Sequence, residues 1–79
     1  MKREAFVEMM AELLEAEPSE IVAEAELYDF PYYNSVCALT LMVRLEEDAG
    51  VTCSANNLAK LKTIGDVESL ISRQAGFEG

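Results

Sequence analysis

Apolar residues recur at helical spacing from Lys2 to about Ala16. Phe6, Met9, Met10 and Leu13 lie along one row, and Val7, Met10 and Leu14 lie along the next. Glu4, Glu8, Glu12 and Glu15 take the other face, so the stretch reads as an amphipathic helix. Pro18 stops it and pushes Glu17 toward extended backbone. Ile21 and Val22 then sit in a short turn-like segment that drops one or both side chains into the core. No period holds from Glu24 to Tyr33, and Pro31 among Phe30, Tyr32 and Tyr33 marks an anchored loop.

The second helix spans about Asn34/Ser35 to Ala49. Val36, Leu39, Met42 and Val43 form one apolar stripe, which Leu41 and Leu45 widen to nearly half the circumference. Such a stripe predicts a central helix touched from more than one side. Gly50 suits the left-handed position just past its end. Ser54 is placed to cap a short helix over Ala55–Leu61, with Leu58 and Leu61 inward, and Thr63-Ile64-Gly65-Asp66 has the form of a capping box. Ile64, Val67, Leu70 and Ile71 supply the inner face of a last helix that frays near Gly76. No alternating run and no hairpin turn signals a strand. The expected class is all-α: a small four-helix bundle of three longer helices and one short one, forming a single domain over residues 1–79.

Composition removes whole classes of function. A chain of 79 residues buries only about 60% of the surface its unfolded form exposes, which leaves little room for a deep catalytic cavity. Histidine is absent, and with it the commonest general base and zinc ligand. Fifteen acidic residues against six basic ones give a net charge of −9. That sign points away from nucleic acid and anionic membranes and toward basic patches on other proteins. No apolar run approaches a membrane span, and no secretory h-region precedes the first helix. Cys37 and Cys53 have no metal-ligand spacing and make a thin disulfide framework, so reduced thiols in the cytoplasm are expected; the chain is also expected to be a monomer.

One position invites chemistry. Ser35 falls at the start of the second helix, where unpaired amides and the positive end of the helix dipole favour an anion. A hydroxyl there can bear a phosphodiester at low electrostatic cost. On local sequence alone, Asn34 and Ser35 are equally two residues of the preferred N-cap types.

The wider pattern adds context to that serine. Tyr33-Asn34-Ser35-Val36 opens the second helix, and Leu39-Thr40-Leu41-Met42-Val43-Arg44-Leu45-Glu46-Glu47-Asp48-Ala49-Gly50 continues it. Val51-Thr52-Cys53-Ser54 leads into the third helix, and Lys62-Thr63-Ile64-Gly65-Asp66-Val67 opens the fourth. In this order and spacing, from Phe6 to Ile71, the sequence resembles the acyl carrier protein family, in which an Asp-Ser-Leu motif opens the second helix. The resemblance implies that Ser35 is esterified by 4′-phosphopantetheine, delivered from coenzyme A by a phosphopantetheinyl transferase. It implies a carrier and not an enzyme. The thiol of the arm holds acyl intermediates of fatty-acid, polyketide or related specialised biosynthesis as thioesters. Acyl-loading and acyl-transfer enzymes with basic or apolar docking patches are then the partners. Met9, Met10 and Met42 either give the core the softness to part for an acyl chain or simply fill it.

The chain also departs from the family pattern. Asn34 stands for the usual Asp and Val36 for the usual Leu. From Asn34 to Thr40 there is no acid; Cys37 and Thr40 occupy positions where fatty-acid carriers of the family hold acids, and Arg44 lies beyond. The acidity sits instead on the first helix and its extension, at Glu4, Glu8, Glu12, Glu15, Glu17, Glu20, Glu24 and Glu26. These features imply a specialised carrier with its own partners. Two further readings stay open: an aminoacyl or peptidyl carrier, and an acidic helical interaction module without the prosthetic group. Cys37 is expected near the partner-facing surface as a spectator, and Cys53 inside. The Phe30–Tyr33 run is expected to anchor the loop that frames Ser35.

Overall fold

The computed structural model describes residues 1–78. Four α-helices follow in order: α1 (Arg3–Leu14), α2 (Ser35–Ala49), α3 (Ala55–Lys60) and α4 (Ile64–Gln74). The long α1–α2 connection contains 3₁₀ turns at Pro18–Glu20 and Leu27–Asp29. The all-α class and the pattern of three longer helices and a short one therefore hold.

α1 stops at Leu14, before Pro18 has any part in it. Glu15 takes left-handed backbone (φ 52°), and the amides of Glu15 and Ala16 turn back to the carbonyls of Glu12 (3.4 Å) and Ala11 (2.9 Å). This is a Schellman stop built on a residue other than glycine. Pro18 instead opens the first 3₁₀ turn behind an extended Glu17. Ile21 is buried and Val22 is exposed.

The core takes Phe6, Met9, Met10 and Leu14 from α1, Leu41 and Leu45 from α2, and Ile64, Val67, Leu70 and Ile71 from α4. Leu27 and Tyr33 join it from the connection, and Val51, Cys53 and Leu61 from the segments flanking α3. α3 itself, one residue shorter than expected, buries no side chain fully.

That last point corrects the expectation for α2. A helix touched from more than one side would cover Val36, Leu39 and Val43, yet they are 72%, 53% and 50% exposed. The inner row is Ala38, Leu41 and Leu45. Both rows share the i, i+3, i+7 spacing, so periodicity alone favours neither. α3 brings no buried side chain to cover a second row, and the outer one stays open to solvent. Met42 lies half-buried between the two.

The connection is fixed against the start of α4. Thr63 caps that helix, accepting the Asp66 amide (3.1 Å), while the Asp66 carboxylate accepts the Thr63 amide (3.1 Å) and the Lys62 amide (2.8 Å). The next two amides, of Ile64 and Gly65, donate to the carbonyls of Ala25 (2.9 Å) and Ala23 (2.8 Å). The first-turn donors that any helix leaves unpaired thus hold the loop in place. The Leu27 amide completes the clamp by donating to the Lys62 carbonyl (2.8 Å). Because Leu27 opens the second 3₁₀ turn, the clamp sets the course of the chain into α2.

Candidate functional site

Ser35 is the first residue of α2 and is exposed. The cap is Asn34, in extended backbone, whose Oδ1 accepts the Cys37 amide at 2.9 Å. The two N-cap candidates therefore divide the work: Asn34 closes the helix end, which leaves the Ser35 hydroxyl for other chemistry. Gly50 ends the same helix in left-handed backbone (φ 66°), as the sequence predicts.

Tyr33 anchors the approach. Its amide donates to the Phe30 carbonyl (3.1 Å), and its ring is buried edge-on to Tyr28, with centroids 4.9 Å apart and planes at 81°. Burial, and then the neighbouring Tyr28, push the Tyr33 phenol up to about 12, so it stays protonated. Tyr32 next to it is exposed. Of the aromatic run, Tyr33 is the buried anchor and Phe30 a half-buried second one.

Beside Ser35 lies a cleft of about 260 Å³. Tyr28 and Tyr33 line it from the connection, Ser35 and Leu39 from α2, and Ala55, Leu58 and Ala59 from α3. A larger surface depression, about 670 Å³, lies elsewhere, among Arg3, Ala23 and the α4 residues Ser69, Ser72 and Arg73.

The charge around the start of α2 is sparse. Its first turn holds no carboxylate. Arg44 is engaged by Asp48 (3.0 Å) and by Glu12 of α1 (3.7 Å). Glu12 thus meets α2 at Arg44, well along the helix from Ser35. Val36 and Tyr32, expected beside the serine as docking contacts, are exposed, whereas Tyr33, expected with them, is buried. What sequence reasoning missed is that Leu39 and Val43 continue the open row down α2. The signal was present as two equivalent apolar rows in one helix.

Cys37 is not on the partner-facing surface as expected. It is half-buried against α1, with Sγ 3.6 Å from the Leu13 carbonyl. Burial raises its thiol pKa against the opposing effect of the hydrogen bond to Asn34, and burial likewise raises that of Cys53. Neither is an activated nucleophile.

These residues fit a phosphodiester. An exposed hydroxyl stands at the positive end of a capped 15-residue helix, and no first-turn carboxylate repels an anion there. Residues 4–71 match the family described as the phosphopantetheine attachment site. The chain is 37% identical over 72 residues to an orsellinic acid synthase of Beauveria bassiana, covering 90% of this chain and 3% of that protein. It is 33% identical over 68 residues to the meromycolate extension acyl carrier protein of Mycobacterium tuberculosis, covering 86% of this chain and 59% of that one. For the protein of that name from Mycolicibacterium aurum the identity is 32%, covering 86% of this chain and 70% of the relative. The matched span is thus a phosphopantetheine-attachment domain, and the chain covers only part of the length of these relatives. The chain belongs to the acyl carrier protein family.

Proposed function

We propose that Ser35 is the attachment point and that residues 1–79 work as one cytoplasmic, monomeric acyl carrier domain. The observation that supports this most is the position of Ser35: exposed, first in α2, beside a neighbour that does the capping, and inside the matched span. Ser35 Oγ attacks the β-phosphorus of coenzyme A. The Oγ–P bond forms, the pyrophosphate P–O bond breaks, adenosine 3′,5′-bisphosphate leaves, and the hydroxyl proton passes to a base of the transferase. Once attached, the arm supplies a thiol that holds an acyl group as a thioester. The protein's own part is to fix Ser35 at a rigid helix end, to soften the phosphodiester charge with the α2 dipole, and to offer partners a surface.

That surface is the Val36–Leu39–Val43 row with Tyr32 beside it. We read the partners as acyl-loading and acyl-transfer enzymes that meet an apolar strip, with acids contributing only from farther away. The relatives, one named for meromycolate extension and one for orsellinic acid synthesis, support work in fatty-acid-type or polyketide-type biosynthesis. The test is discharge of cargo. Loaded from an acyl-coenzyme A by a broad-specificity transferase, the protein should gain the acyl-arm mass and lose only the acyl group to hydroxylamine. A mass gain that resists hydroxylamine contradicts a thioester carrier.

A further inference from the structure

We infer that α1 carries a second docking surface, turned away from α2, for a basic amphipathic helix of a partner that holds the carrier while its Ser35 end stays free. The inference goes beyond the carrier reading and does not depend on which residue bears the arm. A groove of about 400 Å³ lies between the start of α1 and the first 3₁₀ turn, lined by Arg3, Glu4, Val7, Glu8 and Pro18. Val7, half-buried at the edge of the core, and the exposed Pro18 give it apolar walls, which the stem of Arg3 extends. The Arg3 guanidinium is already engaged: it pairs with Glu68 of α4 at 2.9 Å and lies 4.5 Å over the Phe77 ring. Glu4 and Glu8 are exposed, and among the described residues no cation stands within ion-pair distance of either.

Charge and spacing choose the occupant. Two unpaired carboxylates beside an apolar groove are complementary to two cations flanking an apolar side chain. Glu4 and Glu8 stand one helical turn apart, about 6 Å, which matches basic residues at i and i+4 of a partner helix with a leucine beside them. The net charge of −9 draws in such a segment and repels an acidic one. Helix geometry keeps the groove clear of α2. α1 meets that helix through Glu12, 3.7 Å from Arg44, and through the Leu13 carbonyl, 3.6 Å from Cys37 Sγ. At about 100° per residue, Val7 lies roughly 140° from Glu12 and 120° from Leu13, on the opposite side of α1. A partner seated there leaves the open row of α2 uncovered, so one protein can hold the carrier while another works on its cargo.

The experiment titrates the full chain, labelled for amide NMR, with an amidated helical peptide of leucine and lysine whose lysines stand one turn apart beside a leucine row. Amide shifts should centre on Glu4, Val7, Glu8 and Ser19, with Val36, Leu39 and Val43 unmoved. Glu4→Gln with Glu8→Gln should weaken binding about 2–30-fold, the worth of two exposed ion pairs. Glu46→Gln with Glu47→Gln removes the same charge from exposed positions near the end of α2 and should weaken it less. Equal losses for the two double variants would reduce the binding to general attraction by net charge and overturn the inference. Shifts centred on the α2 row, no binding, or equal binding of a peptide with glutamine in place of lysine overturn it too.

Discussion

The amide of Gly65 donates to the carbonyl of Ala23 at 2.8 Å, and a Cβ on Gly65 would stand only 3.0 Å from that oxygen. The loop and the start of α4 are in contact backbone to backbone, and a side chain there pushes them apart. Gly65→Ala gains helix propensity but weakens a hydrogen bond of the clamp. The expected net result is a loss of about 0.5–1.5 kcal/mol, seen as a Tm lower by several degrees. An unchanged or raised Tm contradicts the clamp.

Asp66 gives that clamp a pH dependence. The Lys62 amide, and then the Thr63 amide, hold its carboxyl below the ordinary 3.8. A carboxyl depressed by folding contributes stability that is fully present above its unfolded pKa and lost as pH falls through the folded value. Lowering the pH from about 5 to about 2 should therefore shrink the stability difference between the wild type and Asp66→Asn. Urea midpoints of the two proteins read it directly, and using their difference cancels the titration of the other carboxylates. A constant difference contradicts the assignment.

Asn34 separates capping from charge. Its Oδ1 holds the Cys37 amide, and Asp caps about as well, so Asn34→Asp should leave Tm nearly unchanged while Asn34→Ala costs about 1 kcal/mol. If the transferase reads charge beside the serine, Asn34→Asp should also be modified faster, most clearly at low salt. Equal rates across salt concentrations would show that the charge is not read.

If partners dock on the open row of α2, as proposed, docking should depend only weakly on salt. Thr40 and Val43 are exposed on α2, so Thr40→Glu with Val43→Glu places acids there without burying them. Cys37, half-buried against Leu13, is unsuited to that purpose. A ketosynthase with a basic docking patch should turn over the loaded wild type slowly and with little salt effect. It should turn over the double variant faster, most at low ionic strength. Fast, strongly salt-sensitive turnover of the wild type contradicts an apolar docking face.

Much of this was legible in the sequence because local chemistry decides it. The Thr63–Asp66 box, Gly50 past α2, Ser54 before α3 and the α4 inner face all depend on residues within a few positions of one another. What was not legible depends on partners distant in the chain. Val36 and Leu41 belong to rows of identical spacing, and which row is buried depends on where the distant elements of the core pack against α2. Glu15 ends α1 through backbone geometry that its side chain does not advertise. Cys37 turns inward because α1 lies against that side of α2. Ser35 itself was legible as a position, and its freedom from capping duty became visible only with the Asn34 hydrogen bond.

The central claim is that Ser35 alone bears the arm, and fragmentation of the intact protein after incubation with coenzyme A and a broad-specificity transferase tests it most directly. Ser19, Ser54, Ser69 and Ser72 compete as hydroxyls, but none opens a long capped helix. Fragment ions should confine one phosphopantetheinyl mass to Ser35, and Ser35→Ala should fold with a similar Tm, since Asn34 keeps the cap, and gain nothing. The prosthetic mass on another serine, or on the folded Ser35→Ala protein, contradicts the account.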